Sequence, residues 1–293
     1  CGFDVTRADG LPPKLHRLEA VFKPAWTPRS RLRTKHAPSD HRTALVLGAG
    51  LSGSAVACSL ARRNWAVTVL DAGAGVGAGA SGLPAGLTAP HVSPDDSVLS
   101  RITRAGVRAT LQRCAQLLQP DVDWALSGVL EHRVEGKRAL PSGAAWPAPG
   151  HEWSTPAAPA QIAQAGLPPQ AQTLWHGIAA WLRPRQLVAA QLATPGVTVH
   201  WNTRAHALRP GPEGWQVLNA DGQVLAQADV LVVASAYDTR TLLEALPDNH
   251  DGCGSLPIHP LRGQISMGPL SALPEAVRAQ LPRMPVNGHG SFI

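Results

Sequence analysis

Short apolar runs separated by glycine-rich turns set the pattern of this chain. Positions 44–47 and 66–70 are continuous β-type apolar runs, and the small-residue stretch 54–63 between them has helical character. Gly48, Gly50 and Gly53 fill the turn that joins the first run to the helix, and Asp71 closes the second run. This predicts strand, tight turn, helix, strand. A helix is expected at 98–118, and residues 119–170 are Pro-rich with little regular pattern. Regularity resumes with a helix over 184–192, opened by Pro184. Strands follow at 197–201 and around 205–209, then a hairpin partner at 214–218 turning at 219–222. The apolar strand 228–234 ends this part, and a strand-rich section begins with 261–267 and 284–293. At the start, two alternating segments, 2–7 and 16–22, flank a turn containing Gly10, Pro12 and Pro13, which predicts a β-hairpin.

The segment around Gly48 carries chemistry. Gly48 permits the tight strand-to-helix turn, Gly50 lets backbone approach a pyrophosphate, and Gly53 allows close packing of helix on strand. Backbone N–H groups at the helix start, at Leu51 and Ser52, point the positive end of the helix dipole at phosphate charge. Asp71 stands 23 residues after Gly48, where a carboxylate at the tip of the second strand accepts hydrogen bonds from ribose hydroxyls. A glycine turn alone is common for purely structural reasons. With strand, helix, second strand and acidic tip in register, the reading is a dinucleotide site. A nicotinamide domain would continue strand, helix, strand at short intervals after Asp71. Here a Gly/Ala/Ser loop at 73–86, a long helix and a Pro-rich insertion come before the third strand. That interrupted order suits an FAD domain with an inserted substrate domain.

Composition narrows the class. A chain of 293 residues is long enough for one large domain or two. No run approaches the length of a transmembrane helix and no signal-peptide pattern opens the chain, so the expectation is a cytoplasmic protein without a membrane partner. Cys1, Cys58, Cys114 and Cys253 form no CxxC pair; they read as reduced, mostly buried thiols, with no zinc or other metal site. The net charge of +6 allows a polyanionic partner. Much of the excess lies in Lys23, Arg29, Arg31, Arg33, Lys35 and Arg42, against Asp40 alone, in a stretch punctuated by prolines and serines. Residues 24–42 therefore read as a basic linker, either solvated or touching nucleic-acid phosphate. The start at Cys1 and the stop at Ile293 match no capping pattern, which leads us to expect a piece of a longer protein; oligomeric state is not legible, and a monomer is the default.

These residues resemble the D-amino-acid-oxidase-like family of FAD-dependent oxidoreductases, the group containing glycine and sarcosine oxidases. The resemblance is carried by 46–53 with Asp71, by the loop 77–82, by the strand pair 196–205, by 229–236 and by 260–266. Within that family the chain is most similar to the oxidoreductase half of bifunctional enzymes that modify the wobble uridine of tRNA. Residues 79–106, with Asp95-Asp96 and Leu99-Ser100-Arg101, are similar to their loop after the second strand, and residues 1–23 to the last hairpin of their methyltransferase domain.

The resemblance implies an α/β fold: a Rossmann-like FAD-binding domain of the D-amino-acid-oxidase type over 43–293, with an inserted strand-rich substrate domain, incomplete at both ends. It implies noncovalent FAD, tRNA as substrate, and S-adenosylmethionine only in an upstream methyltransferase domain of which 1–23 would be the last hairpin. Gly48, Gly50, Leu51, Ser52 and Gly53 would face the pyrophosphate and Asp71 the adenosine ribose. Ala80, Ser81 and Gly82 would present backbone N–H and a hydroxyl toward the pyrophosphate and flavin, unless Ser81 merely caps a turn. Ala205 would read the adenine edge, and Ala234 and Ser235 would pass close to the cofactor, unless both lie in ordinary buried strand. Arg262 would face the flavin or substrate, or else simply lie on the surface. Ala236 stands where relatives commonly carry glycine, which is expected to tighten packing and keep the site. Amine oxidation by flavin needs a neutral substrate amine and positive charge near the reduced ring, so no triad or carboxylate pair is expected and no catalytic residue is assigned. His91 and His289 are left unassigned. The implied reaction converts the carboxymethylaminomethyl group of a wobble uridine to the aminomethyl form. Alternatives are a free small-amine oxidase of the glycine or sarcosine type, and an inactive fragment.

Overall fold

The structure, a computed structural model, describes residues 2–9, 16–23, 25, 42–93, 95–133, 148–246, 256–261, 263–288 and 290–293. Its contacts divide the chain into two compact units, 1–40 and 41–293. The first contains the expected hairpin, β1 (Phe3–Asp9) and β2 (His16–Phe22), paired antiparallel from Phe3↔Phe22 to Asp9↔His16. Of the 24–42 linker only Ala25 and Arg42 are among the described residues.

The second unit opens with β3 (Thr43–Leu47), α1 (Leu51–Ala61) and β4 (Ala66–Leu70). After a single 3₁₀ turn at Ala80–Gly82 come β5 (Gly86–Thr88) and α2 (Val98–Leu117). At its described positions the Pro-rich stretch holds more regular structure than its sequence predicts. It holds β6 (Trp124–Ala125), β7 (Val129–His132), α3 (Ala148–His151), β8 (Ser154–Pro156) and α4 (Pro159–Gln164). The chain continues with β9 (Thr173–His176), β10 (Ala180–Leu182), α5 (Pro184–Leu192), β11 (Val197–His200), β12 (Ala207–Gly211) and β13 (Gly214–Leu218). It ends with β14 (Val224–Ala228), β15 (Val230–Val233), α6 (Asp238–Glu244), α7 (Glu275–Arg278), β16 (Val286–Asn287) and β17 (Ser291–Phe292).

Four strands form a parallel sheet in the order β11-β4-β3-β15, the arrangement of a Rossmann-like half. Both faces of its central strands are covered, which is why 44–47 and 66–70 read as continuous apolar runs and not as alternation. Ala44, Val46, Val67 and Val69 pack with Ala57 and Ala61 of α1 and Val188 and Leu192 of α5. Leu45, Leu47 and Leu70 pack with Leu208, Val217 and Ala228 of the antiparallel meander β12-β13-β14, and with Leu242 of α6. Each fully buried Leu or Val contributes roughly 1.5–3 kcal/mol, so this double-sided core fixes where the ends of β3 and β4 lie. The buried Ser54 hydroxyl donates to Gln191 Oε1 at 2.7 Å, satisfying the one polar pair between α1 and α5.

Two further sheets, β5-β10-β6 and β17-β16-β7-β9-β8, make up the strand-rich part. Inside the larger one, Ser154 Oγ lies 2.8 Å from His176 Nδ1 and Glu131 Oε2 lies 2.9 Å from His176 Nε2, so the buried ring is held at both nitrogens. Gly128, at φ +64, lies against Trp175, where an added Cβ would fall 2.2 Å from the ring. Cys114 of α2 is buried with Leu182 and Leu187, and burial pushes its thiol up to about 11. A raised value means that the native state keeps this proton after the unfolded thiol, near 9.0, has lost it, so the contribution of Cys114 to stability falls as pH rises between the two. We expect Cys114 to resist alkylation at pH 8 in native protein and to react on unfolding, as read by mass spectrometry of the labelled peptide. Rapid native labelling at Cys114 would contradict this environment.

Several expectations are corrected. The strand expected at 228–234 is two elements broken at Asp229, whose Oδ2 accepts from Thr43 N at 3.0 Å and Thr43 Oγ1 at 2.7 Å and so pins the corner where the chain changes sheets. Helix α1 begins three residues earlier than expected, at Leu51. The strand expected at 261–267 is absent at the described positions there, and 284–293 contains only the two-residue strands β16 and β17. Leu261 is 97% exposed. Among the described residues no helix is long and apolar enough to cross a membrane.

Candidate functional site

The carboxyl ends of β3, β4 and β15 open onto a cavity of about 410 Å³. Gly48, at φ +99, turns the chain out of β3; a Cβ there would fall 2.4 Å from the Ala234 carbonyl oxygen. The β3 and β15 ends are stitched by Ala234 N donating to Leu47 O at 2.8 Å and by the Ser235 hydroxyl donating to the same oxygen at 3.2 Å. Gly53 meets the turn from the helix side, with its added Cβ only 1.8 Å from Gly48 O. Gly50 faces the loop, where a Cβ would stand 3.0 Å from Ser81 Oγ. Gly48 and Gly53 thus stand where backbone crowds backbone, and Gly50 stands against the Ser81 side chain.

Asp71 is a half-buried brace at the end of β4. Its Oδ2 accepts from Ala49 N at 2.6 Å and its Oδ1 from Gly73 N at 2.7 Å. Thr203 N donates to Asp71 O and Asn202 N to Gly73 O, tying the turn after β11 to the same loop. Each carboxylate oxygen keeps a lone pair for a further donor. Ser81 sits at the start of α1, where its hydroxyl accepts from Leu51 N at 3.0 Å. It therefore caps a helix end, filling one of the donors that the fingerprint leaves free.

Of the residues singled out in the sequence, Gly48, Gly50, Asp71, Ala80, Ser81, Ala205, Ala234 and Ser235 line this one cavity. Leu51, Ser52, Gly53 and Gly82 stand outside its lining: Leu51 supplies the N–H to Ser81, Ser52 is exposed, Gly53 packs on Gly48, and Gly82 packs on Gly77 O. Arg262 and His289 lie outside the described residues. His91 is held by Ser100, 3.0 Å from its Nδ1, in a hydroxyl cluster at the start of α2, away from the cavity lining. Ala236 adopts φ +50, a left-handed conformation that costs a methyl-bearing residue about 1 kcal/mol or more. Its effect is backbone strain at the rim, a correction to the tighter packing expected there. The sequence reading missed Thr203 and Arg204, and with them Asp238, which pairs with Arg204 at 3.2 Å on the rim. The signal for Thr203 and Arg204 was their place in the turn directly after the third parallel strand, while Asp238 opens α6 after β15. It also missed the alternating glycines 73, 75 and 77, visible as a run just past Asp71.

A cradle of this shape fits an extended dinucleotide: glycine backbone and a helix start for the phosphates, an acid at the second strand, small residues between. Residues 43–293 match the family described as FAD dependent oxidoreductase. The chain belongs to that family. Membership implies FAD as the cofactor. Two relatives are both named tRNA 5-methylaminomethyl-2-thiouridine biosynthesis bifunctional protein MnmC. The one from Paracidovorax citrulli is 49% identical over 310 residues, and the one from Delftia acidovorans 46% identical over 304. Each alignment takes in 100% of this chain and 46% of the relative, so the chain spans about half the length of the curated relatives it matches. Among solved structures, glycine oxidase from Geobacillus kaustophilus is similar at TM-score 0.52 and 18% identity, over 69% of this chain and 57% of that one. Fructosyl amine: oxygen oxidoreductase (Amadoriase I) from Aspergillus fumigatus is similar at TM-score 0.53 and 18% identity, over 71% and 52%. At such identity these two structures speak for the fold alone.

Proposed function

We propose that this chain is the oxidoreductase part of a tRNA-modifying enzyme, converting the carboxymethylaminomethyl group of a wobble uridine to the aminomethyl form with release of glyoxylate. The single observation that carries the reading is 49% identity across the whole chain to a protein named for tRNA 5-methylaminomethyl-2-thiouridine biosynthesis. When bound, FAD supplies the two-electron acceptor for oxidation of the amine. The chain's own residues hold it: Gly50 and the start of α1 receive the pyrophosphate, Asp71 accepts from the adenosine ribose, and Ala205 borders the adenine. Binding is noncovalent in this reading. The upstream methyltransferase half and its S-adenosylmethionine belong to the same proposal, supported by the hairpin at the start of the chain.

The test is turnover in the full-length protein. Oxidation of the modified tRNA should lose apparent affinity steeply as salt rises, because phosphate contacts release counterions, while free glycine is turned over slightly. Replacing Arg29, Arg31 and Arg33 by alanine should flatten the salt slope if the linker touches phosphate. Efficient oxidation of glycine or sarcosine without binding of tRNA at low salt would establish a small-amine oxidase instead.

A further inference from the structure

A second cavity, about 690 Å³, is set between the β5-β10-β6 sheet and the segment 268–293. Pro84 and Ala85 form one wall, so the short segment 81–85 runs from the FAD cavity, which Ser81 lines, to this one. Trp181, central in its sheet between Leu87 and Ala125, contributes an aromatic surface, and Phe292 of β17 a second. Arg183, Arg278 and Arg283 also line it, without any Asp or Glu among the lining residues.

The three arginines are exposed side chains gathered on one concavity, and among the described residues no carboxylate forms an ion pair with any of them. The cavity is thus built for more than one negative charge. A small amino acid brings a single carboxylate and no ring. Successive phosphates joined to a planar base satisfy both features, since guanidinium pairs with phosphate and aromatic rings stack on bases. We propose that this cavity seats a nucleotide of single-stranded RNA, its base against Trp181 and its flanking phosphates against Arg183, Arg278 and Arg283. The proposal rests on the tRNA reading above and specifies where that substrate is gripped.

The experiment uses purified, FAD-loaded protein and a fluorescein-labelled anticodon stem-loop RNA, with affinity measured by anisotropy at several salt concentrations. Single-stranded contacts each add about 0.7 to the log–log salt slope, so replacing all three arginines by alanine should flatten it by about 2. Trp181→Ala should weaken binding about 5- to 150-fold, the range for one lost base–aromatic stack. Flavin content should be unchanged in both. If the triple variant aggregates, Arg278→Ala alone, exposed on the one-turn α7, is read the same way, with a slope change of about 0.7. Wild-type affinity and slope in the variants would overturn this seat and leave the tRNA reading standing. Absence of RNA binding by the wild type would overturn both. Loss of flavin from the variants would assign the cavity to the cofactor and overturn the proposal.

Discussion

Gly53→Ala is expected to give a protein that cannot retain FAD. The added methyl carbon would fall 1.8 Å from the Gly48 carbonyl oxygen, and that oxygen is backbone in a turn already held by the crossing of β15. No rotamer relieves the overlap; either α1 moves off the sheet or the fingerprint turn opens. Forcing atoms into a packed site costs typically 1–3 kcal/mol and more where backbone must shift, so a loss of about 3 kcal/mol is expected, with the phosphate cradle displaced. Released flavin absorbance and a thermal melt of the purified variant read both effects. Gly106→Ala is the matched control. Gly106 lies on the exposed face of α2 with open space around its missing Cβ, so alanine there should stabilise by about 0.5–1 kcal/mol and leave FAD in place. A Gly53→Ala protein that carries normal flavin would show that the turn around Gly48 is looser than its geometry indicates.

Asp71→Ala should weaken FAD binding about 10- to 150-fold, the equivalent of one charge-assisted hydrogen bond of roughly 1.5–3 kcal/mol. Beyond the ribose hydroxyls, the change strands two part-buried donors, Ala49 N–H and Gly73 N–H, which now share the carboxylate. Asp71→Asn is a sharper version of the same test. Its amide offers one acceptor and one donor, so it satisfies one of those N–H groups and confronts the other with a like group. Asparagine should therefore resemble alanine more than aspartate in an FAD titration. Wild-type affinity in both variants would place the ribose elsewhere.

The strand–turn–helix–strand unit was legible because each of its parts answers to a local rule. The runs 44–47 and 66–70 are apolar but for Thr68, since both sheet faces are covered, and Pro184 marks the first residue of α5. The strand-rich part was not legible for a physical reason. Its strands are two to four residues long, too short to show alternation, and β7 finds its partner β9 across a long insertion, Val129 opposite His176. Pairing across such distance leaves little trace in local pattern. The segment 261–267 misled in the opposite sense: Leu261, Ile265 and Met267 alternate with polar Arg262, Gln264 and Ser266, and alternation alone does not make a strand without an edge to join. In the site, the glycines and Asp71 were found by spacing. The roles of Gly82 and Ser81 in packing and capping, and the rim pair Arg204–Asp238, depend on loops meeting in space and carry no spacing of their own.

The hydroxyl of Ser81 sits on a donor that a cofactor phosphate would also seek. Since it already occupies the Leu51 N–H, the arrival of a phosphate at that donor is a substitution and adds no hydrogen bond to the total. The bond's contribution to affinity is then the difference between a charged and a neutral acceptor, about half the strength of the charged one.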